Sequence, residues 1–191
     1  LSAAKIKLDA HAKTLDGGFR DKYINTILAS LNKTIKDIVE NSGGFYRFDK
    51  IENPKEKDIT SVDDLQYIKV FFITNRVFGR DARVAGLTFD AGQFKVEWTP
   101  FNYNFKAEQQ AYYKDMRCGQ PSILVWPYKD NTLIDGFPHP HVQNGGRVCW
   151  GEIDSGITRQ MQFNIDYEFT GKSYECFNKV KALLHSYNAS S

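Results

Sequence analysis

Phe137-Pro138-His139-Pro140-His141-Val142-Gln143-Asn144-Gly145-Gly146-Arg147-Val148-Cys149-Trp150-Gly151-Glu152 concentrates reactive side chains in one short window of the chain. The chain has 4 histidines and 3 cysteines, and two of those histidines and one of those cysteines fall inside this window. Prolines on both sides of His139 fix the local backbone, and Gly145-Gly146 supply a tight turn ahead of Cys149. A rigid entry, a turn and the short apolar run Val148-Cys149-Trp150 are a way to present a thiol at a surface.

Working outward toward the N-terminus, Ser122-Ile123-Leu124-Val125-Trp126 reads as a strand entered through Pro121. Before it, Val84–Phe89 and Phe94–Thr99 are rich in strand-forming residues. The Asp90-Ala91-Gly92-Gln93 segment between them predicts a hairpin. Tyr67 to Phe78 is dense in Ile, Val and Phe and predicts one strand buried on at least one face. Phe45-Tyr46-Arg47-Phe48 predicts a short strand, followed by a polar loop, Glu52 to Asp58. Upstream of these lies the clearest helical period in the chain. Phe19, Tyr23, Ile27, Leu28, Leu31, Ile35, Ile38 and Val39 recur at steps of three and four, and Gly43-Gly44 end the run. Residues 1–18 are a lead-in, which leaves 19–191 as a single domain.

Toward the C-terminus, Met161–Phe169 reads as strand or extended chain. Ser173 to Tyr187 predicts a closing amphipathic helix with Phe177, Val180, Leu183, Leu184 and Tyr187 on one face. A run of strands bracketed by helices gives an α+β domain: N-terminal helix, antiparallel β-meander, irregular reactive segment, C-terminal helix.

Composition excludes several classes. A net charge of +2 with no Lys/Arg stripe argues against nucleic-acid binding. No apolar run reaches a membrane span, and no signal-peptide pattern opens the chain, so the expectation is a cytoplasmic protein without a membrane partner. An odd number of cysteines without paired spacing fits a reducing compartment. The chain opens on Leu1 rather than Met, as a trimmed protein or part of a longer one would.

The residue types bear on several candidate chemistries. Gly171-Lys172-Ser173 resembles the end of a phosphate-binding loop, but Asp166 stands where that loop needs its first glycine. His139, His141 and Cys149 would make three ligands of a zinc site, yet no second His/Cys pair supplies the ligand spacing for a fourth, so no metal or other cofactor is expected. A cysteine protease would pair Cys149 with a histidine drawn from a distant segment, whereas His139 and His141 are close by in sequence. Inert burial is the ordinary fate of a free cysteine. It is the reading for Cys176 within the last helix, and Cys118 reads as a loop residue of no special role.

The quoted stretch does match a known pattern. His139-Pro140-His141 followed by Gly146-Arg147-Val148-Cys149 resembles the active-site segment of ubiquitin-conjugating enzymes. In that family a His-Pro-Asn tripeptide and a glycine-containing turn precede the thioester-forming cysteine. Gln120-Pro121-Ser122-Ile123-Leu124-Val125 is similar to the proline-led strand that enters the segment, and the order of helices and strands over residues 19–187 is the family's. His141 replaces the motif asparagine, and Trp150-Gly151-Glu152 stand where eukaryotic members carry Leu-Asp. These departures resemble a divergent, bacterial-type branch found beside activating-enzyme-like and deubiquitinase-like proteins.

The resemblance implies a ubiquitin-conjugating-enzyme-like fold and an enzyme that carries a ubiquitin-like protein as a thioester on Cys149. Its partners would be that ubiquitin-like protein, an activating enzyme and a protein substrate. It implies His141 as donor to the oxyanion formed during aminolysis, with a pH response near neutrality that asparagine lacks. It implies His139 as the residue that packs and hydrogen-bonds to hold the loop. Arg147 or a protonated histidine would favour the Cys149 thiolate, and Glu152 or Asp154 would help deprotonate an incoming lysine. The alternative carried by the same resemblance is a catalytically inactive adaptor of the same fold.

Overall fold

A computed structural model of the chain describes residues 19–53, 62–81, 88–101, 117–118, 122–128, 139, 141–142, 145–148, 163–164 and 169–187. The expected N-terminal helix is present as α1, Phe19–Glu40. Its three-and-four spacing turns Ile27, Leu28, Leu31, Ile35 and Ile38 into the core together with Ile24, while Val39 packs at the edge. The chain leaves α1 through Gly43 and Gly44, at φ 63° and 83°. A left-handed pair of this kind is where glycine belongs.

Four strands form the main sheet: β1 (Tyr46–Glu52), β2 (Lys69–Thr74), β5 (Phe94–Thr99) and β7 (Ser122–Pro127). Their spatial order is their sequence order, and every neighbouring pair is antiparallel. In β5 the residues alternate, with Phe94, Val96 and Trp98 buried and Lys95, Glu97 and Thr99 half-buried. That period of two is the mark of a sheet with a single core face. On the opposite face Lys50 and Lys95 place their ammonium groups 5.1 and 4.6 Å from the centre of the Phe71 ring, shielding it from water.

The second helix, α2 (Phe169–Leu184), packs beside α1. Phe177 is its anchor: the ring lies edge-on to Tyr46, Phe72 and Trp98 at 5.3, 5.1 and 5.2 Å. The Tyr46 hydroxyl donates to the Phe177 carbonyl at 2.6 Å, so this buried phenol has a partner. At the far end, the Lys181 ammonium donates to the Ser42 carbonyl at 2.8 Å and joins the two helix ends. The molecule is thus α+β, with an antiparallel sheet and two helices. No helix among the described residues is long and apolar enough to cross a membrane.

Several local expectations are corrected. Tyr67 to Phe78 is not one strand: Val62–Tyr67 is a 3-10 turn, β2 ends at Thr74, and Val77–Asp81 forms β3 in a different sheet. Asn75 makes the corner, its backbone N–H donating to the Phe45 carbonyl and its side-chain amide to the Gly44 carbonyl. The expected hairpin between Val84–Phe89 and Phe94–Thr99 is not formed among the described residues, and 84–87 lie outside them. Thr88–Gly92 is β4, and it pairs with β3 rather than with β5. Asp90, read as a loop residue, lies in β4, where it binds Arg76 at 2.8 Å and accepts the Gly92 N–H at 2.9 Å.

The closing helix begins earlier than Ser173 and stops at Leu184, so Tyr187 belongs to β9 (Ser186–Tyr187) instead. Gly171-Lys172-Ser173 lies inside α2, which removes any phosphate-loop reading. Cys118 is in a two-residue strand, β6 (Arg117–Cys118), paired with β8 (Phe163–Asn164). Cys176 is buried, as read from its place in the helical pattern. The lead-in at 1–18 lies outside the described residues.

Candidate active-site segment

His139 is fully buried, and both of its ring nitrogens are committed. Nε2 lies 2.8 Å from the carbonyl oxygen of Leu184, and Nδ1 accepts the backbone N–H of His141 at 3.1 Å. A carbonyl can only accept, so the proton sits on Nε2 and the ring is the neutral Nε2–H tautomer. Burial brings its pKa down to about 4 from the ordinary 6.5. The bond to Leu184 opposes that shift, and the neighbouring His141 and His185 add to it. The ring also meets Phe94 edge-on at 6.1 Å. The Leu184 carbonyl is one of the last acceptors of α2, which a helix cannot satisfy internally, so His139 serves as its cap.

The chain then turns tightly: the Val142 N–H donates to the His139 carbonyl at 2.9 Å, and the two residues form a β-bridge. This turn brings the two imidazoles together, their ring centres 5.5 Å apart. His141 is 3% exposed. Burial lowers its pKa, and a hydrogen bond to the Ser186 backbone works in the opposite direction. The pH response expected near neutrality accordingly moves to lower pH.

Beyond Val142, itself in the core, the segment folds along the edge of the main sheet beside β7. Leu124 bridges Arg147, Val142 bridges Val148, and the Val125 N–H donates to the Gly146 carbonyl at 2.8 Å. The turn residues Gly145 and Gly146 have φ 88° and 82°. At Gly146 the need for glycine is double, because a β-carbon there would stand 3.0 Å from the Trp126 ring and 3.1 Å from the Val125 carbonyl. Arg147 faces solvent and Val148 is half-buried.

His139, His141, Arg147 and the glycine turn are thus drawn into one unit clasped between β7 and the end of α2. Cys149, Glu152 and Asp154 lie outside the described residues. Among the described residues no group of three potential ligands could hold a metal, and His139 would have to give up an existing hydrogen bond to ligate one. The Leu184 and Ser186 contacts left no trace in the sequence, because a backbone group carries no side-chain signature. Three comparisons, with family models, with curated proteins and with solved structures, find no match for this chain.

Proposed function

We propose that this chain is a ubiquitin-like-protein conjugating enzyme that carries its cargo as a thioester on Cys149 and passes it to an amine. The observation that carries the reading is the clasp on the segment just ahead of Cys149. His139 is buried, neutral and bonded to both α2 and the His141 backbone, while the glycine turn is pinned to β7. The order of the α1 helix, the four-strand antiparallel sheet, the His-Pro segment and α2 agrees with the resemblance carried by His139-Pro140-His141 and Gly146-Arg147-Val148-Cys149.

In this reading the Cys149 thiolate attacks the activated C-terminal carbonyl of the ubiquitin-like protein held by its activating enzyme, releasing that enzyme's thiol. The amine nitrogen of a substrate lysine then attacks the new thioester. A tetrahedral oxyanion forms, the C–S bond breaks, the electron pair leaves on the Cys149 sulfur, and the amine proton passes to a nearby base such as Glu152 or Asp154. His141 supplies an N–H to the oxyanion, and His139 holds the turn. Arg147, exposed and two residues from Cys149, favours the thiolate electrostatically.

The test is incubation with the cognate activating enzyme, the ubiquitin-like protein and ATP. A reductant-sensitive adduct that disappears in Cys149→Ala is the expected result. Absence of any adduct with a partner set proven active on another carrier would overturn the reading in favour of a non-catalytic adaptor of the same architecture.

A further inference from the structure

The face of the main sheet opposite the core carries charge that its own acids do not balance. The pairing registers set its residues in rows across the strands. Arg47, Ile73, Lys95 and Trp126 make one row, and Lys50, Phe71, Glu97 and Leu124 the next. Glu52 and Lys69 stand opposite each other beyond them, and Asp49 sits at the β1 bulge beside Lys50. Both glutamates are engaged, Glu52 by Lys50 at 2.6 Å and Glu97 by Lys69 at 3.5 Å. Among the described residues no carboxylate pairs with Arg47 or Lys95. The Lys95 ammonium lies over the Phe71 ring next to that of Lys50, so two like charges share one aromatic face. Trp126 ends the first row with 38% of its surface exposed, and Ile73 is half-buried between the two cations.

We propose that this sheet face binds an acidic segment of a partner protein that carries an apolar side chain among its carboxylates. The carboxylates meet Arg47 and Lys95, and the apolar group covers Ile73 and the Trp126 indole. Charge complementarity selects this occupant. A carboxylate at Lys95 also offsets the neighbouring charge of Lys50, and the Arg47 guanidinium offers a planar fork suited to a second. Arginine and tryptophan are the residue types that most often anchor protein contacts. A nucleic-acid strand fits this surface less well. Glu52 and Glu97 stand among the cations, and Phe71 lies beneath two lysines, which leaves Trp126 as the open ring on which a base could stack. The proposal uses no residue of the His-Pro segment and is independent of the conjugating-enzyme reading.

The test is titration of the nitrogen-15-labelled chain with a pool of glutamate-rich peptides, each holding one Leu, Phe or Trp. A matched pool with glutamine in place of glutamate is the reference. The acidic pool is expected to shift the amides of Ile73 and Lys95 and the indole N–H of Trp126, with an affinity that falls as salt is added. The glutamine pool is expected to leave them in place. Arg47→Gln and Lys95→Gln should each weaken binding about two- to fivefold, as the loss of one exposed ion pair does. Trp126→Ala should weaken it about tenfold. Lys33 and Lys36 are exposed on α1, so Lys33→Gln with Lys36→Gln removes the same charge away from the face and should leave the affinity unchanged.

No shift on this face overturns the proposal, as does an equal response to the two pools. A loss in the α1 variant as large as that in Arg47→Gln with Lys95→Gln overturns it too, because the net charge rather than the face would then be responsible. Single-stranded DNA that moves the same residues more strongly than the acidic pool replaces the protein segment with nucleic acid. Concentration-dependent burial of the Trp126 indole in the chain alone makes a second copy the occupant instead.

Discussion

The imidazole of His139 and the carbonyl of Leu184, 45 residues apart in sequence, meet at 2.8 Å in a buried hydrogen bond. That one bond ties the candidate active-site segment to the end of α2. Removing the ring strands two buried partners at once, the Leu184 carbonyl and the His141 N–H. His139→Ala is therefore expected to cost on the order of 3 kcal/mol, since each stranded group costs about 1–3 kcal/mol. Urea unfolding followed by fluorescence measures it, and a loss below about 1 kcal/mol would show that the clasp contributes little.

Acid should loosen the same joint. His139 has a folded-state pKa of about 4 against 6.5 for the free side chain, so the unfolded chain binds more protons between those values. Stability from this group is complete above pH 6.5, falls as the pH drops toward 4, and amounts to about 3 kcal/mol across the window. His141 shifts in the same direction and adds to the slope. Asp90 and Glu52, whose pKa values Arg76 and Lys50 lower, contribute the same sign of change at more acid pH, so the informative range is pH 6.5 to 5. Comparing unfolding midpoints there for the parent and His139→Phe should show a smaller slope in the variant.

The two turn glycines make a graded pair. At both, a side chain is disfavoured by a positive φ, but only at Gly146 does a β-carbon meet the Trp126 ring and the Val125 carbonyl. Gly145→Ala is expected to cost about 1 kcal/mol and Gly146→Ala about 2–3 kcal/mol, from strain plus forced displacement. Equal losses in a thermal melt would contradict the close approach to β7.

For the proposed chemistry, His141→Ala should leave thioester formation intact and slow discharge to lysine on the order of 100-fold, the usual effect of deleting one oxyanion donor. Separate single-turnover measurements of the two steps distinguish this from a general loss of folding. Discharge at the parental rate would remove His141 from the reaction and leave it a structural role.

The sequence made α1 plain, because apolar residues at steps of three and four have one solution, a helix with a buried stripe. It missed Ile24, which lies between Tyr23 and the stripe's clear members. The strands were legible as strands but not as pairs. Nothing local distinguishes β4 pairing with β5 from β4 pairing with β3, a choice made here by Arg76 reaching Asp90 and by the corner at Asn75. Similarly, the apolar run from Tyr67 to Phe78 hides two strands in two sheets, because Val77 is buried while Phe78, equally apolar in the sequence, is exposed. At the candidate site the histidines and the glycine turn were visible, but the groups that meet the imidazoles belong to the backbone and could not be read.

The junction between the His-Pro segment and the C-terminus also fixes an order of assembly. His139 cannot be capped until Leu184 has been synthesised, and β9 must find β3 across most of the chain. Closing so long a loop is entropically slow, so this corner forms after α1 and the sheet have begun to condense. On the ribosome, the His139 turn therefore stays uncapped until residues 184–187 have emerged, well after the turn itself has been made.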